Sequence, residues 1–432
     1  MQQFLVGPGR QIPNGVTYGQ VAGALQRKGD MSMFQDVSII VDPGPVGRPT
    51  EYENDTWWMP KVTRNFTLDG GGNSGAKARI INRRPSGMPQ VPGQPFSGSG
   101  ADKGLFWDAG VDVVIRGFEV EGARSQSGAY NGSGVRMDRG TNLTLERMIF
   151  RYCQNGALIS PQDLEATEAD ERGNLIIKTC EFSCCGFGGQ AHLLYCGTTI
   201  TCFVDDSIFT HAVGEGNTFK TRSDYTRVRS TLLTTGSGFN SWVYDSMGGK
   251  NELHFNTFQN LAPFSSQPKG CVHIYIEPQS KDVEIDIQYN LFDLRGKAPG
   301  KPIVVDPRIL YNGTGGIGED GKFHKKGENY YVQGEFRDMV GIVDNNIVLI
   351  NPDQRNHFGY DPATGQNKMV FPWNDVRYGP IPLPPGLVEG PNNKFVVTDA
   401  PPADDPQSTD DDGCDDDGMR HGHKKKRDEG MG

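Results

Sequence analysis

The sequence predicts an all-β chain wound into a parallel β-helix, and three observations support this prediction. The composition is rich in turn formers, with 57 Gly and 28 Pro among 432 residues, and only 35% of the residues are hydrophobic. Short segments of alternating apolar residues recur along the middle of the chain. Helical periodicity is weak. Together these features favour many short strands that are joined by turns.

The recurring segments align on one apolar position. They read VVIRGFEVEG, LTLERMIFRY, LIIKTCEFSC, TCFVDDSIFT, TRVRSTLLTT, ELHFNTFQN, DIQYNLFDL and GIVDNNIVLI. The aligned residues are Val120, Phe150, Phe182, Phe209, Leu233, Phe258, Phe292 and Val348. Their gaps are 30, 32, 27, 24, 25, 34 and 56 residues, and steps of about 25 residues suit one coil of a parallel β-helix. The strands of a β-sandwich, which is the alternative, would not keep such a register.

The N-terminal 50 residues are expected to form a cap and the first strand, and residues 51–350 the coils. The segment TYGQVAGALQRKGD (17–30) reads as a short amphipathic capping helix. Such a helix would protect the bare sheet edge of the first coil. The strand and turn VSIIVDPG follow it. Residues 84–101 and 298–340 are expected to be lateral loops.

The C-terminal part of the chain differs in composition from the coils. Residues 351–402 lose the strand periodicity and are rich in Pro and aromatic residues, which predicts an extended segment that docks on a surface. In the segment 403–432, residues 403–417 carry eight Asp around Cys414, and the basic run RHGHKKKR (420–427) follows. Blocks of like charge serve as flexible interaction tails. Residues 351–432 are therefore expected to contact other subunits, and a homotrimer is one such assembly.

Charge and composition also exclude some classes of function. The formal net charge of −10 argues against a general nucleic-acid-binding protein. The opening MQQFLVGPGRQIPNG lacks the features of a secretion signal, and no apolar run is long enough to cross a bilayer. The eight Cys show no C-x-x-C zinc spacing and suggest buried thiols. No cofactor is expected, and Ca²⁺ is left open as the one metal that could bind, although no motif supports a site for it.

The opening VGPGRQ…TYGQVAGAL…IIVDPG and the later segment NFTLDGGG are similar to the entry segment and the following coil of one known group of proteins. They resemble the pectate-lyase-like superfamily of right-handed parallel β-helix proteins from bacteria and phages. GGQAHLLYCG is similar to a G-x-x-H-N-L-Y-x-G element, although Leu193 stands where the Asn is usual. GEGNTFKTRSDYTRV is similar to a G-H-x-x-K-S-R-A element with Thr221 in place of the Ser. YDSMGGKNELHFNTFQ matches a third element. The resemblance implies a right-handed β-helix.

The last three elements predict a groove for an acidic sugar. They are expected in successive coils. Lys220 and Arg222 are two residues apart, so they project from one face of a strand. Cations beside acids and aromatic rings suit acidic sugars. The predicted catalytic residues are Lys220, Arg222 and Asp245. The predicted substrate-binding residues are His192, Tyr195, Glu215, Asp224 and Tyr244.

Two reactions are compatible with these residues. In β-elimination Lys220 would be the base, and it resembles the Lys of alginate and chondroitin lyases with this fold. Those lyases carry an L-R-H-G element one coil later, where this chain has WVYDSMGG. Hydrolysis needs two facing carboxylates, and Asp245 with Glu215 or Asp224 could supply them. The structural alternative is that Lys220 and Arg222 pair with acids of neighbouring coils and His192 binds a turn.

The sequence thus favours a structural or adhesive component of a phage virion, such as a tailspike, a fibre or a capsid decoration, which binds an acidic polysaccharide. The expected location is the virion or the extracellular space. A polysaccharide lyase or a glycoside hydrolase is the alternative. A bacterial β-helix protein that is exported without a signal is a third hypothesis.

Overall fold

The computed structural model describes most of the predicted coil region. The described residues are 2–6, 11–12, 16–17, 35–53, 57–58, 64–71, 75–81, 106–108, 112–124, 132–137, 142–159, 172–186, 191–213, 216–235, 241–260, 269–278, 282–296, 300–354, 368–372, 374–375, 379–380 and 382–399. Within these residues the chain is all-β, and no helix of the kind that could span a membrane occurs.

Three long sheets contain nearly all the described strands. Sheet 1 consists of Gln2–Val6, Asp36–Val41, Asn65–Asp69, Val113–Arg116, Asn142–Glu146, Asn174–Lys178, Thr201–Asp205, Tyr225–Arg229, Lys250–His254, Val283–Gln288, Met339–Asp344 and Leu387–Glu389. Sheet 2 consists of Glu51–Glu53, Ala78–Ile81, Phe118–Glu121, Ile149–Arg151, Glu181–Ser183, Ile208–Thr210, Leu232–Thr234, Thr257–Gln259, Leu291–Asp293, Ile347–Ile350 and Lys394–Val397.

Sheet 3 has the same order along the chain. It consists of Trp57–Trp58, Phe106–Asp108, Ser133–Met137, Asn155–Ile159, Leu194–Cys196, Phe219–Thr221, Tyr244–Ser246, Val272–Ile276, Ile303–Asn312 and Asn329–Phe336, with Val370–Pro372 paired to Ile303–Asn312. Three short two-stranded pairs complete the described strands: Gln11–Ile12 with Val16–Thr17, Gly316–Ile317 with Phe323–His324, and Asn374–Asp375 with Gly379–Pro380.

The chain visits sheets 1, 2 and 3 in turn, and each strand pairs in parallel with the strand one coil later. The coil Asn174–Lys178, Glu181–Ser183, Leu194–Cys196 is followed by Thr201–Asp205, Ile208–Thr210, Phe219–Thr221 in this way. Only Asn329–Phe336 joins sheet 3 antiparallel. This arrangement fits a parallel β-helix and differs from the antiparallel pairing of a β-sandwich.

The aligned apolar residues of the sequence form one continuous column in sheet 2. Each of the eight, from Val120 to Val348, pairs in register with the next. Phe182 lies between Phe150 and Phe209, with ring centroids 4.6 and 4.5 Å apart. All three rings are fully buried. The predicted register is therefore confirmed, because the side-chain period of two points these positions inward in every coil.

The turn from sheet 1 to sheet 2 repeats the same backbone conformation. The residue that starts it has a positive φ in successive coils: Arg147, Thr179, Asp206, Ser230, Phe255, Tyr289 and Asn345. The residue that follows each of these points inward. In the last three of these coils it is an Asn: Asn256, Asn290 and Asn346. The side-chain oxygen of Asn290 accepts a hydrogen bond from the backbone N–H of Asn256 at 2.9 Å, and Asn346 does the same for Asn290 at 3.0 Å. These amides satisfy backbone groups that the buried turn would otherwise leave without partners.

Free cysteines fill part of the interior. The six described free thiols are all buried: Cys153, Cys180, Cys185, Cys196, Cys202 and Cys271. Burial raises the pKa of Cys180 to about 12. Such thiols pack as small apolar groups, as the sequence suggests.

The ends and the long loops add detail to the expected domains. The predicted capping helix falls on 17–30, where Thr17 ends a strand and the other residues lie outside the described part, as do the loop 84–101 and the tail 403–432. Part of the expected loop 298–340 forms the strands Ile303–Asn312 and Asn329–Phe336. Beyond residue 350, three strands continue sheets 3, 1 and 2 in that order: Val370–Pro372, Leu387–Glu389 and Lys394–Val397.

Candidate functional site

The three predicted elements lie side by side in sheet 3. Tyr195, Lys220, Asp245 and His273 occupy equivalent positions in four successive strands and pair in register. Their strand neighbours on both sides point into the core, so this column points outward. The register therefore brings together two candidate catalytic residues and one candidate binding residue, as the sequence predicts for successive coils.

A second set of side chains lies beside this column. The guanidinium of Arg222 forms an ion pair with Glu277, with Nη2 3.0 Å from Oε1. It also donates a short hydrogen bond to the Tyr195 hydroxyl and lies over that ring, with Cζ 5.8 Å from the centroid. Together we call these residues the sheet 3 cluster: Tyr195, Lys220, Arg222, Asp245, His273 and Glu277.

Asp245 is the most buried charged group of the cluster. Its Oδ1 lies 2.8 Å from Nδ1 of His273, and its Oδ2 accepts a hydrogen bond from the side-chain amide of Asn217 at 2.8 Å. Burial alone would raise the pKa of Asp245. The hydrogen bond with His273 and the charge of Lys220 outweigh burial and hold that pKa below its usual value. Asp245 is therefore a stable carboxylate.

Lys220 lies beside this carboxylate and is more exposed to solvent. Its Nζ is 3.9 Å from Oδ2 of Asp245, which is too long for a hydrogen bond. Burial lowers the pKa of Lys220 below its usual value, and the nearby Arg222 guanidinium acts in the same direction, while Asp245 opposes both. The amine is thus easier to deprotonate than an ordinary lysine.

The cations of the cluster are more exposed than the carboxylates. The Lys220 and Arg222 side chains are 20% and 33% exposed, whereas those of Asp245 and Glu277 are 5% and 15% exposed. The positive groups are thus closer to an incoming ligand, although the formal charges balance. This order of exposure favours an anionic ligand over a cationic one.

Aromatic rings surround His273. Trp242 stacks on it with ring centroids 4.4 Å apart, and Tyr275 stacks on it at 4.9 Å. All three residues are buried. The rings fix the orientation of the imidazole and, through it, of Asp245.

His192 lies one turn before the cluster and links two coils. Its backbone N–H donates to Oδ1 of Asn155 at 2.9 Å, and its Nδ1 accepts from the backbone N–H of Asn217 at 2.9 Å. Burial lowers the pKa of His192 to about 3, and the charge of Lys220 contributes. His192 is therefore a neutral hydrogen-bond acceptor that positions Asn217, and Asn217 in turn holds Asp245.

Two further predicted binding residues, Tyr244 and Asp224, do not join the cluster. Tyr244 points into the core, where its hydroxyl donates to Oδ1 of Asn251 at 2.6 Å, because it alternates with the outward Asp245. Asp224 forms an ion pair with Arg172 at 2.9 Å, at the start of the next strand of sheet 1. Glu215 lies outside the described residues.

Sequence reasoning did not find His273, Glu277 or Asn217. The segment VHIYIE (272–277) alternates apolar residues with His, Tyr and Glu, so it places His273, Tyr275 and Glu277 on one face of a strand. Its period of two was a usable signal. No equivalent signal marks Asn217, whose role depends on a turn.

The chain was also compared with known proteins. No family model, no curated protein and no solved structure matches it. Within the described residues, no group of three or more His, Cys, Asp or Glu side chains is arranged to hold a metal ion. The proposed function therefore depends on the geometry of the chain itself.

Proposed function

We propose that the protein is a structural and adhesive component of a phage virion, built on a right-handed β-helix of the pectate-lyase-like type, which binds acidic polysaccharide. The observation that carries the structural part is the unbroken pairing of sheet 2 from Glu51–Glu53 to Lys394–Val397. Each coil is hydrogen-bonded to the next, which gives a stiff rod that is resistant to proteases. A fibre, a tailspike or a decoration protein needs these properties.

The sheet 3 cluster is the proposed polysaccharide contact. Lys220 and Arg222 are its most exposed charged groups, and a uronic acid carboxylate could accept hydrogen bonds from both. The buried Asp245 and Glu277 hold the two cations in place and keep the free site neutral.

A binding assay with defined variants tests this contact. Calorimetry with alginate and polygalacturonate oligomers should show binding to the natural protein that weakens about tenfold in Lys220→Gln and in Arg222→Gln. The matched control is Lys250→Gln, which removes an exposed cation from sheet 1 and should leave the affinity unchanged. Equal affinities in all four proteins would place the contact elsewhere. Failure of the natural protein to bind either oligomer would count against an acidic ligand.

Cleavage of the polysaccharide is a second candidate, favoured by the lowered pKa of Lys220. In β-elimination the neutral Lys220 amine would take the proton beside the uronate carboxylate. A C=C bond would form as the bond to the glycosidic oxygen breaks, and water would protonate that leaving oxygen. Arg222 could stabilise the charge on the carboxylate. Hydrolysis is less well supported, because it needs a protonated carboxyl group facing the ionised Asp245, and the candidate Asp224 is instead ion-paired with Arg172.

Product analysis separates binding from cleavage. A lyase would produce unsaturated uronates, which absorb in the ultraviolet, and a hydrolase would produce reducing ends without that absorbance. Loss of either product in Lys220→Ala, with unchanged thermal unfolding, would support a catalytic role. If neither product forms with alginate, pectin or host capsule, the cleavage hypothesis fails and the binding proposal is unaffected.

The virion assignment needs its own experiment. Mass spectrometry of purified virions should detect peptides of this chain in fixed proportion to the capsid protein. Detection in the cellular fraction alone would overturn the assignment and favour a bacterial β-helix protein.

A further inference from the structure

The turn between sheets 1 and 2 presents two exposed aromatic rings where the backbone does not favour them. In seven successive coils, from Arg147 to Asn345, the corner residue has a positive φ, which Gly and Asn adopt easily and bulky residues rarely do. Phe255 and Tyr289 both hold this conformation, each with φ of 59°. The corner itself is fixed by the coil, since the N–H of Phe255 donates to the carbonyl of Gln288 at 3.4 Å. The backbone thus explains the conformation but not the choice of residue.

Burial does not explain that choice either. Phe255 is 61% exposed and Tyr289 is 50% exposed, so neither ring contributes much to the core. Other coils place short or polar residues at the same corner, among them Thr179, Ser230 and Asn345. Two bulky rings at strained and exposed positions are better explained by a contact with something outside the described chain.

The two rings form one platform with accessible faces. Their planes are 9° apart, and their centroids are separated by 5.2 Å. Each ring therefore has one face against the other ring and one face turned away. The corner residues on either side are Ser230 and Asn345, whose side chains are smaller than these rings, and His254 meets Phe255 edge to face with ring centroids 6.2 Å apart. A flat apolar group of about the size of a sugar ring can stack there.

Polar groups line the platform along sheet 1. Arg229, His254 and Gln288 occupy one register column, each directly before a corner residue. Arg229 forms an ion pair with Glu252, and Nε2 of His254 lies 3.1 Å from Oδ1 of Asp286. Acids and bases are thus interleaved, so the surface does not select for a charged ligand. Hydrogen-bonding groups beside aromatic faces match the hydroxyls and the apolar C–H face of a neutral sugar.

We propose that Phe255 and Tyr289 form a second glycan-binding site, which takes a neutral oligosaccharide by stacking a sugar ring on an outward ring face. This site lies on the sheet 1–sheet 2 corner and does not use the sheet 3 cluster. It rests on the proposed function in one respect, namely that the protein binds carbohydrate. A rod with two separate sites can hold a surface polysaccharide at more than one point, which raises avidity.

Titration calorimetry with four neutral probes tests the proposal: cellohexaose, maltohexaose, mannohexaose and xylohexaose. At least one should bind the natural protein, and Phe255→Asn and Tyr289→Asn should each weaken that binding about tenfold or more. The matched control is Thr179→Asn, at the same corner three coils earlier. It should bind as the natural protein does. Because Asn tolerates a positive φ, all three variants should fold, with thermal midpoints close to that of the natural protein.

The outcomes separate this site from the sheet 3 cluster. Lys220→Gln should not change the binding of a neutral hexasaccharide, and Phe255→Asn should not change the binding of an alginate oligomer. The proposal is overturned if none of the four probes binds the natural protein, or if the Phe255→Asn/Tyr289→Asn double variant binds as well as the natural protein. A large drop in thermal midpoint for both single variants without any probe bound would show instead that the rings stabilise the fold.

Discussion

Lys220 in sheet 3 and Lys250 in sheet 1 occupy outward positions two coils apart, yet their environments have opposite effects on their pKa values. Burial lowers the pKa of Lys220, whose carboxylate partner is 3.9 Å away. A hydrogen bond to Glu284 at 2.8 Å raises the pKa of Lys250, which is 39% exposed. Both lysines lie on strands near a carboxylate, but Arg222 also acts on Lys220, whereas the charges that act on Lys250 are carboxylates.

The difference shows which feature marks a candidate site on this fold. Ion pairs between coils occur on all three sheets, as in the pairs Arg227–Asp205 and Arg151–Glu181. Such exposed pairs contribute little to stability and require no special role. Burial alone does not mark a site either, since the Arg295–Asp293 pair at the end of a sheet 2 strand is 8% and 5% exposed and is closed by hydrogen bonds of 2.8 Å. Sheet 3 differs because Asp245 is buried while the Nζ of Lys220 lies 3.9 Å from its Oδ2, beyond hydrogen-bond distance.

Replacement of Asp245 should have the largest effect on stability. Asp245→Ala leaves Lys220, His273 and the Asn217 amide without their shared partner in a buried site, and we expect a loss of about 3–5 kcal/mol in the free energy of unfolding. The matched change in sheet 1 is Glu284→Ala, which removes the exposed partner of Lys250 and should cost about 1 kcal/mol or less. Urea denaturation measures both values. Similar losses for the two variants would contradict the contrast between the sheets.

Acid should destabilise the protein because it protonates His192 in the unfolded state, and this effect begins at a higher pH than the titration of carboxylates. The pKa of His192 is about 3 in the folded chain and about 6.5 in an unfolded one. Because the folded value is the lower one, the unfolded state binds the proton first. The contribution of His192 is therefore complete above about pH 6.5 and declines on acidification, by up to about 1.4 kcal/mol per pH unit.

The variant His192→Gln isolates this contribution. The amide oxygen of Gln can accept the same hydrogen bond from the N–H of Asn217, and it does not titrate. Denaturation curves recorded between pH 7 and pH 4 should show a steeper loss of stability for the natural protein than for the variant. Parallel curves would mean that His192 is accessible to protons in the folded state.

The sequence was sufficient to predict the stacked parallel sheets, because the interior imposes a strict pattern. An inward residue recurs every second position along a strand and once per coil, so the aligned residues from Val120 to Val348 could be found by spacing alone. The Asn ladder at Asn256, Asn290 and Asn346 was not predicted, although the three residues follow the same spacing. An exposed loop can also supply Asn, so the residue type alone does not indicate an inward amide.

The candidate site was predicted only in part, since outward residues follow no such pattern. Lys220, Arg222 and Asp245 were found because they lie in segments with a recognisable motif. The prediction that Tyr244 lines the same groove as Asp245 was wrong, because adjacent residues of a strand point to opposite faces and Tyr244 is buried in the core. His273 was missed because the contact with Asp245 joins residues 28 positions apart. Only the register between coils shows that these two residues meet.

The smallest expected effect is a difference in titration between Lys220 and Lys250, which amine labelling can measure in the natural protein. An amine-reactive reagent attacks only the neutral form of lysine, so the labelling rate of each site rises with pH around its pKa. We expect the midpoint of this rise at Lys220 to lie at lower pH than the midpoint at Lys250, as measured by peptide mass spectrometry after short pulses. Midpoints are compared rather than rates, since rates also depend on exposure.

The variant Glu284→Gln is the control. It should lower the midpoint of Lys250 and leave the midpoint of Lys220 unchanged, because of the two lysines Glu284 contacts only Lys250. If Lys220 instead titrates above Lys250, the charge of Asp245 outweighs burial, and Lys220 would be a permanent cation suited to binding rather than a base.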